Sequence, residues 1–327
     1  MAKKTDGKIT ATLSILWEGI TIYCKYLGTF LKYMLFPVFG QVIGIMLILT
    51  VNYFFIINIP SLIKQFPVLD NIPLVFTLLL ICVFPFFLIF CKAFFDYLVA
   101  YASLNSMVYI SRGGKMKDKP LDTKTHDDIL KKRMPKYITV LLIFALISLI
   151  GCFPLFIIPF GVVCVYLCLI FQVFMLEESL SPIGVFKRSF YLVKGNFTMT
   201  FSLIAFSCVL TYFLIPSLAV WCFEKINIIQ YLTIPVQKYL EILPIKDISD
   251  SIISSVNSSI SSSVPIAANI MYEPDIAFFA KEIVSAVISA IVIGMLLPVR
   301  SAWFTLLYKL FDSQKTEELR KSDLKKS

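Results

Sequence analysis

Residues 137–176 read YITVLLIFALISLIGCFPLFIIPFGVVCVYLCLIFQVFML, a run of 40 residues without a single charge. As one α-helix rising 1.5 Å per residue it would be about 60 Å long, roughly twice the ~30 Å hydrocarbon core of a bilayer. Pro154 and Pro159 divide it, with LFII between them. Proline lacks the amide donor and its ring collides with the carbonyl four residues back, so a helix breaks there. The run therefore predicts a tight hairpin of two short membrane spans. Outward from it, four further apolar segments are long enough to cross: 34–57, 74–97, 197–221 and 278–299. Six crossings result.

Charge placement tests that number. Residues 1–33 carry five Lys/Arg, 98–136 nine, 177–196 three and 300–327 seven, whereas 58–73, 154–159 and 222–277 carry one, none and three. Cytoplasmic connections collect Lys and Arg. Six crossings put 24 of the 30 basic residues on one side and four on the other, with Lys92 and Lys281 in span ends. A single crossing at 137–176 would move the basic tail to the wrong side. Both termini are thus expected in the cytoplasm. The first 33 residues lack an apolar core followed by a small-residue cleavage site, so the first span is expected to stay as an anchor.

Composition agrees. The chain is 58% hydrophobic and 16% charged, with a mean hydropathy of +0.83; soluble domains run near 25% charged and 45–50% apolar. A soluble globular protein is excluded. The net charge of +9 does not indicate nucleic acid, because no aromatic or base-reading element interleaves with the basic residues. The eight cysteines fall almost entirely within apolar runs and form no Cys-x-x-Cys or Cys/His cluster, so they read as small packed hydrophobes.

Two amphipathic helices are expected in the cytoplasmic headgroup plane. The first, within 1–33, has an apolar stripe of Leu13, Leu16, Trp17, Ile20, Cys24, Leu27 and Leu31. The second spans 181–196. Ser181-Pro182 caps it; Ile183, Phe186, Phe190, Val193 and Phe197 make its stripe, and Lys187, Arg188 and Lys194 point away. Both end in a similar triplet, Gly28-Thr29-Phe30 and Gly195-Asn196-Phe197, and both following span pairs end near a tyrosine, Tyr109 and Tyr308. The pattern suggests a weak internal repeat, 13–110 against 183–310.

Glu177-Glu178 followed by SPIGVFKRSFYLVKGNF (181–197), after a proline-broken hairpin, resembles a family of bacterial polytopic proteins. That family is itself similar to the membrane domain attached to some glycerophosphoryl diester phosphodiesterases. The matching positions are Glu177, Arg188, Ser189, Phe190, Val193, Lys194, Gly195 and Phe197, and WFTLLYKLFD (303–312) is comparable with the family's tyrosine-containing last helix. The hairpin lacks the usual Pro-Gly and the 222–277 loop is long. The resemblance implies a membrane domain of a bacterial inner membrane and supplies no reaction. A separate phosphodiesterase barrel would need about 250 residues more.

The basic segment 110–136 reads as a solvated cytoplasmic loop. His126-Asp127-Asp128 lacks further His or Cys ligands nearby. Lys131, Lys132 and Arg133 abut a span and should attract anionic lipid, as should Lys187, Arg188 and Lys194. In the outer loop 222–277, Ile245, Ile248, Ile252, Val256 and Ile260 step by three or four residues, and 226–244 is too apolar to hang in water. Short amphipathic helices on the outer surface or capping the bundle are expected. Lys92 and Asp96 lie four apart and can pair near the cytoplasmic boundary; Gln41, Asn52 and Gln172 lie deeper and suit interhelical hydrogen bonds.

The expected fold is an all-α integral membrane bundle forming one domain over 1–327. It consists of an N-terminal interfacial helix (1–33), spans 1–2 (34–110), a cytoplasmic loop (111–136), the hairpin of spans 3–4 (137–176), a second interfacial helix (181–196), spans 5–6 with the outer loop (197–310) and a tail (311–327). No catalytic, cofactor or metal site is indicated, so the expected role is non-enzymatic: membrane organisation, or binding of anionic lipid, a protein partner or a second copy. The alternatives are a transporter or channel with two related halves, and a membrane-embedded lipid-modifying enzyme.

Overall fold

A computed structural model describes residues 2–66, 72–111, 123–151, 157–242 and 276–324. Among these, all regular structure is helical: α1 (Ala2–Lys25), α2 (Leu27–Gln65), α3 (Ile72–Ser111), α4 (Thr123–Lys132), α5 (Met134–Gly151), α6 (Ile157–Leu167), α7 (Ile170–Leu176), α8 (Pro182–Val193), α9 (Phe197–Cys208), a π-helix (Val209–Leu214), α10 (Ile215–Lys225), α11 (Ile228–Ile242), α12 (Ile276–Met295) and α13 (Leu297–Leu324). Six segments are long and apolar enough to cross a membrane: Leu27–Phe55, Pro73–Tyr109, Met134–Gly151, Ile158–Leu176, Phe197–Lys225 and Ile276–Glu318. The chain is a polytopic helical membrane protein. The turn of the 137–176 hairpin and the Ile245–Ile260 stripe lie outside the described residues.

Local sequence explains the breaks. Ser181 caps α8 by accepting from the Gly184 amide at 3.2 Å, with Pro182 in the first turn. Gly195, at φ +93°, ends that helix in the left-handed region, which glycine enters without a Cβ penalty. Gly28, its partner in the suggested repeat, lies inside α2 instead. Pro216, at the start of α10, cannot donate to the carbonyl of Tyr212, and the π-helix lies immediately before it. Pro298 follows the break between α12 and α13.

The helices form two compact units. Unit 1 comprises Met1–Gln41, Cys91–Phe213 and Ile293–Ser327. Its core places α1 on α13: the Trp303 ring is fully buried and its indole N–H donates to the Leu16 carbonyl at 2.9 Å. A Cβ on Gly19 would come within 2.3 Å of Trp303 Cδ1, so only glycine fits. Thr12, Ile15 and Ile22 are the packed face of α1, while the predicted stripe leaves Leu13 and Trp17 exposed, Trp17 at 74%. That stripe is therefore a second apolar face, separate from the packed one. Helix α8 packs on α5, α6, α7 and α13 through Val185, Ser189, Leu192 and Val193. In α3 and α13, Ala100, Ala102–Val108 and Val299–Ala302 belong to the buried interior, and Tyr109 meets Tyr308 edge-on at 6.4 Å.

Unit 2 comprises Val42–Phe90 and Leu214–Val292. Here Gly44 lets α2 approach α3 so closely that a Cβ would lie 3.0 Å from the Phe90 backbone, a small-residue contact typical of helices in lipid. Ile229, Val284 and Ile288 form a core with Val220, Phe223 and Val236 packed against it. Phe84, Leu149, Ile158 and Phe206 are among many large apolar side chains exposed on the spans. Surface of this kind suits hydrocarbon rather than water.

Candidate functional site

Unit 2 holds a cavity of about 410 Å³, within the size range of ligand pockets. Its walls come from α2 (Val42, Met46, Leu49, Thr50), α11 (Leu232, Pro235, Val236, Tyr239, Leu240) and α12 (Ile283, Val284, Val287, Ile288, Ile291). Only Thr50 and Tyr239 carry side-chain polar atoms, and both hydroxyls are already committed. Thr50 donates to the Met46 carbonyl at 2.7 Å and Tyr239 to the Leu49 carbonyl at 3.1 Å, with the Tyr239 ring 4.8 Å from Tyr53. No hydroxyl proton remains to offer an occupant. A water molecule needs two to four polar partners, so the cavity suits an apolar guest.

Unit 1 holds the polar chemistry. Arg188 on α8 donates from Nε to Glu177 at 2.8 Å and from Nη2 to Asp312 at 2.7 Å, and the Tyr308 hydroxyl donates to the same Glu177 oxygen at 2.9 Å. The Arg188, Glu177 and Asp312 side chains are about a quarter exposed, and Tyr308 is buried. Burial works to lower the Arg188 pKa, but the bond from Glu177 and the charges of Glu177 and Asp312 outweigh it and hold the pKa above its usual value. Glu177 and Arg188, from the segment before and within α8, meet Tyr308 and Asp312 of α13.

Deeper in the unit, Asn105 Oδ1 accepts from Ser301 at 2.6 Å and from Gln172 Nε2 at 3.2 Å, joining α3, α7 and α13. Gln172 is fully buried and its Oε1 has no partner among the described residues. Arg300 is only 6% exposed. Its Nη2 donates to the Ile293 carbonyl at 3.0 Å and approaches the Tyr97 hydroxyl at 3.5 Å. The guanidinium lies 4.6 Å from the Tyr212 ring centroid.

The segment read as a solvated loop contains a structured piece, which corrects that reading. Thr123–Lys132 is helix α4, and its His126 is fully buried because buried Ser106 offers it a partner at 2.7 Å on Nδ1. The Ser106 hydroxyl also lies 2.8 Å from the Ser103 carbonyl, to which it can donate. Asp127 accepts from Ser103 at 2.9 Å and from the Tyr33 hydroxyl. Among the described residues no three His, Cys, Asp or Glu side chains group as metal ligands.

The expected headgroup contacts divide. Lys131, Lys132, Lys187 and Lys194 are exposed. Arg188 is held by two carboxylates, and Arg133 lies 4.3 Å over the Phe174 ring with both Nη atoms buried and unpartnered among the described residues. Burial lowers the Arg133 pKa against the opposing pull of Glu178. Lys92 and Asp96 pair at 2.6 Å on an exposed face, with Lys92 4.9 Å from the Phe36 ring. Gln41 bonds within its own helix, to the Pro37 carbonyl at 2.8 Å, whereas Gln172 makes the interhelical bond. Arg300 entered the sequence reading only as one charge of the tail; its place two residues after Pro298, at the end of an apolar run, is the signal that marks it. No family model matches the chain, and neither a curated protein nor a solved structure shows significant similarity to it.

Proposed function

We propose that this polytopic protein is a non-enzymatic lipid-binding component of a bacterial inner membrane that holds a phospholipid hydrocarbon chain in the cavity of unit 2. One observation carries the reading: every side-chain hydroxyl on the cavity wall is already bonded within the chain. A hydrophilic solute would be stripped of water there with nothing in exchange, whereas an acyl chain transfers from one apolar medium to another. Lys92, Asp96, Gln41 and Asn52, the polar groups read from the spans, are not among the lining residues. In unit 1, the exposed Lys131, Lys132, Lys187 and Lys194 supply a separate contact, to anionic headgroups.

The test is photolabelling in nanodiscs with a phospholipid carrying a diazirine near the end of one acyl chain. Label should concentrate on Leu49, Val236 and Val287. Filling the cavity with Val287→Trp should reduce cavity labelling about tenfold, equivalent to about 1.4 kcal/mol. Label spread evenly over Phe84, Leu149 and Ile158, without enrichment at the cavity, would refute the reading.

A further inference from the structure

Arg300 presents a buried cation with no counter-ion among the described residues. Its guanidinium stays charged in any protein environment, and a buried charge is costly unless paired. Among the described residues no carboxylate lies within ion-pair distance; the nearby sequence neighbour of Tyr97, Asp96, is bound to Lys92 at 2.6 Å. Nη2 is used by the Ile293 carbonyl and Tyr97, while Nη1 is buried with no partner among the described residues. The Tyr97 hydroxyl receives Arg300 at 3.5 Å, and its own proton has no acceptor among the described residues. Two donors, one charged and one neutral, are therefore unspent side by side. The Tyr212 ring stacks on the guanidinium and is itself 46% exposed, carried on the π-helix. π-Helical turns occur often at functional sites.

We propose that Arg300 and Tyr97 form a binding site for one phosphate group. Arginine offers a planar fork of donors that matches phosphate oxygens, and the tyrosine proton supplies a further bond. The phosphate can belong to a phospholipid headgroup or be free in solution. No residue of the site belongs to unit 2, so the proposal stands independently of the acyl-chain reading.

The experiment uses the full chain in dodecyl maltoside and follows its thermal unfolding midpoint. Phosphatidylglycerol, inorganic phosphate and, as a phosphate-free lipid, dioleoylglycerol are titrated in separate arms against wild type, Arg300→Met and Tyr97→Phe. Phosphatidylglycerol should raise the wild-type midpoint, with apparent affinity falling about tenfold in Arg300→Met and less in Tyr97→Phe. Removing an unpaired buried charge should not destabilise the lipid-free protein, so an Arg300→Met midpoint at or above wild type separates lost binding from lost folding. Tyr97→Phe deletes only a hydroxyl and keeps the test valid if Arg300→Met fails to fold. A response to both phosphatidylglycerol and inorganic phosphate supports a site open to the free anion; a response to phosphatidylglycerol alone supports a headgroup site. The proposal is overturned if dioleoylglycerol shifts the midpoint as far as phosphatidylglycerol, if neither phosphate probe shifts it, or if both variants keep wild-type affinity.

Discussion

Replacing Arg188 with methionine removes the cation that holds two carboxylates together. In the native arrangement Glu177 and Asp312 sit 2.8 and 2.7 Å from one guanidinium, and Tyr308 adds a third contact at 2.9 Å. A hydrogen bond to a charged group contributes roughly 1.5–3 kcal/mol, and breaking a fully buried pair costs about 3–5 kcal/mol. With side chains about a quarter exposed, Arg188→Met should cost about 3 kcal/mol, since it also leaves two anions facing each other. At about 2 °C per kcal/mol for a large domain, that lowers the unfolding midpoint by about 6 °C. Glu177→Gln keeps an acceptor for Tyr308 and should cost only about 1 kcal/mol. The double variant should show a coupling of about 1–2 kcal/mol. Unfolding in mixed micelles of dodecyl maltoside and dodecyl sulfate can be read by tryptophan fluorescence, because Trp303 is fully buried; Trp17→Phe and Trp221→Phe remove the exposed reporters. A wild-type midpoint for Arg188→Met, or strictly additive costs, would show that the network does not hold α8 to α13.

Three further outcomes are expected. Gly19→Leu drives a side chain into Trp303, where even a Cβ comes within 2.3 Å, and should cost about 3 kcal/mol in the same unfolding assay, with a red-shifted Trp303 emission. Alanine at Lys131, Lys132, Lys187 and Lys194 should weaken association with phosphatidylglycerol vesicles by about 1 kcal/mol per residue while leaving the unfolding midpoint in place; unchanged vesicle binding would count against the headgroup role. In a cysteine-free background, Ser313→Cys should react with an impermeant maleimide only after the cytoplasmic side of the membrane is opened, and labelling in intact cells would invert the proposed orientation.

The crossings were legible because their cause is local. In hydrocarbon each backbone must satisfy its own hydrogen bonds, so an apolar run of sufficient length announces a helix by itself. Of the polar interior of unit 1 only the interhelical bond of Gln172 was legible; the other partners are remote: Asn105 meets Ser301, Glu177 meets Tyr308, and His126 meets Ser106 from a segment whose charge suggested solvent. On α1 the predicted apolar stripe is largely exposed, and the face packed on α13 is the one bearing Gly19 and the small Thr12; when the surroundings are lipid, an apolar face does not tell packing from exposure. Charge arithmetic had a comparable blind spot. It treated Lys and Arg as equal markers of the cytoplasmic side, yet Lys131, Lys132, Lys187 and Lys194 are exposed while Arg133, Arg188 and Arg300 turn into the protein. The chemistry accounts for the division. An ammonium is compact and strongly hydrated, whereas a guanidinium is flat, weakly hydrated and able to stack on Phe174 or Tyr212 while its edge meets a carboxylate or carbonyl. Arg133, Arg188 and Arg300 are therefore the residues to examine for internal ion pairs and enclosed anion sites, and Lys131, Lys132, Lys187 and Lys194 those to examine for the bilayer surface.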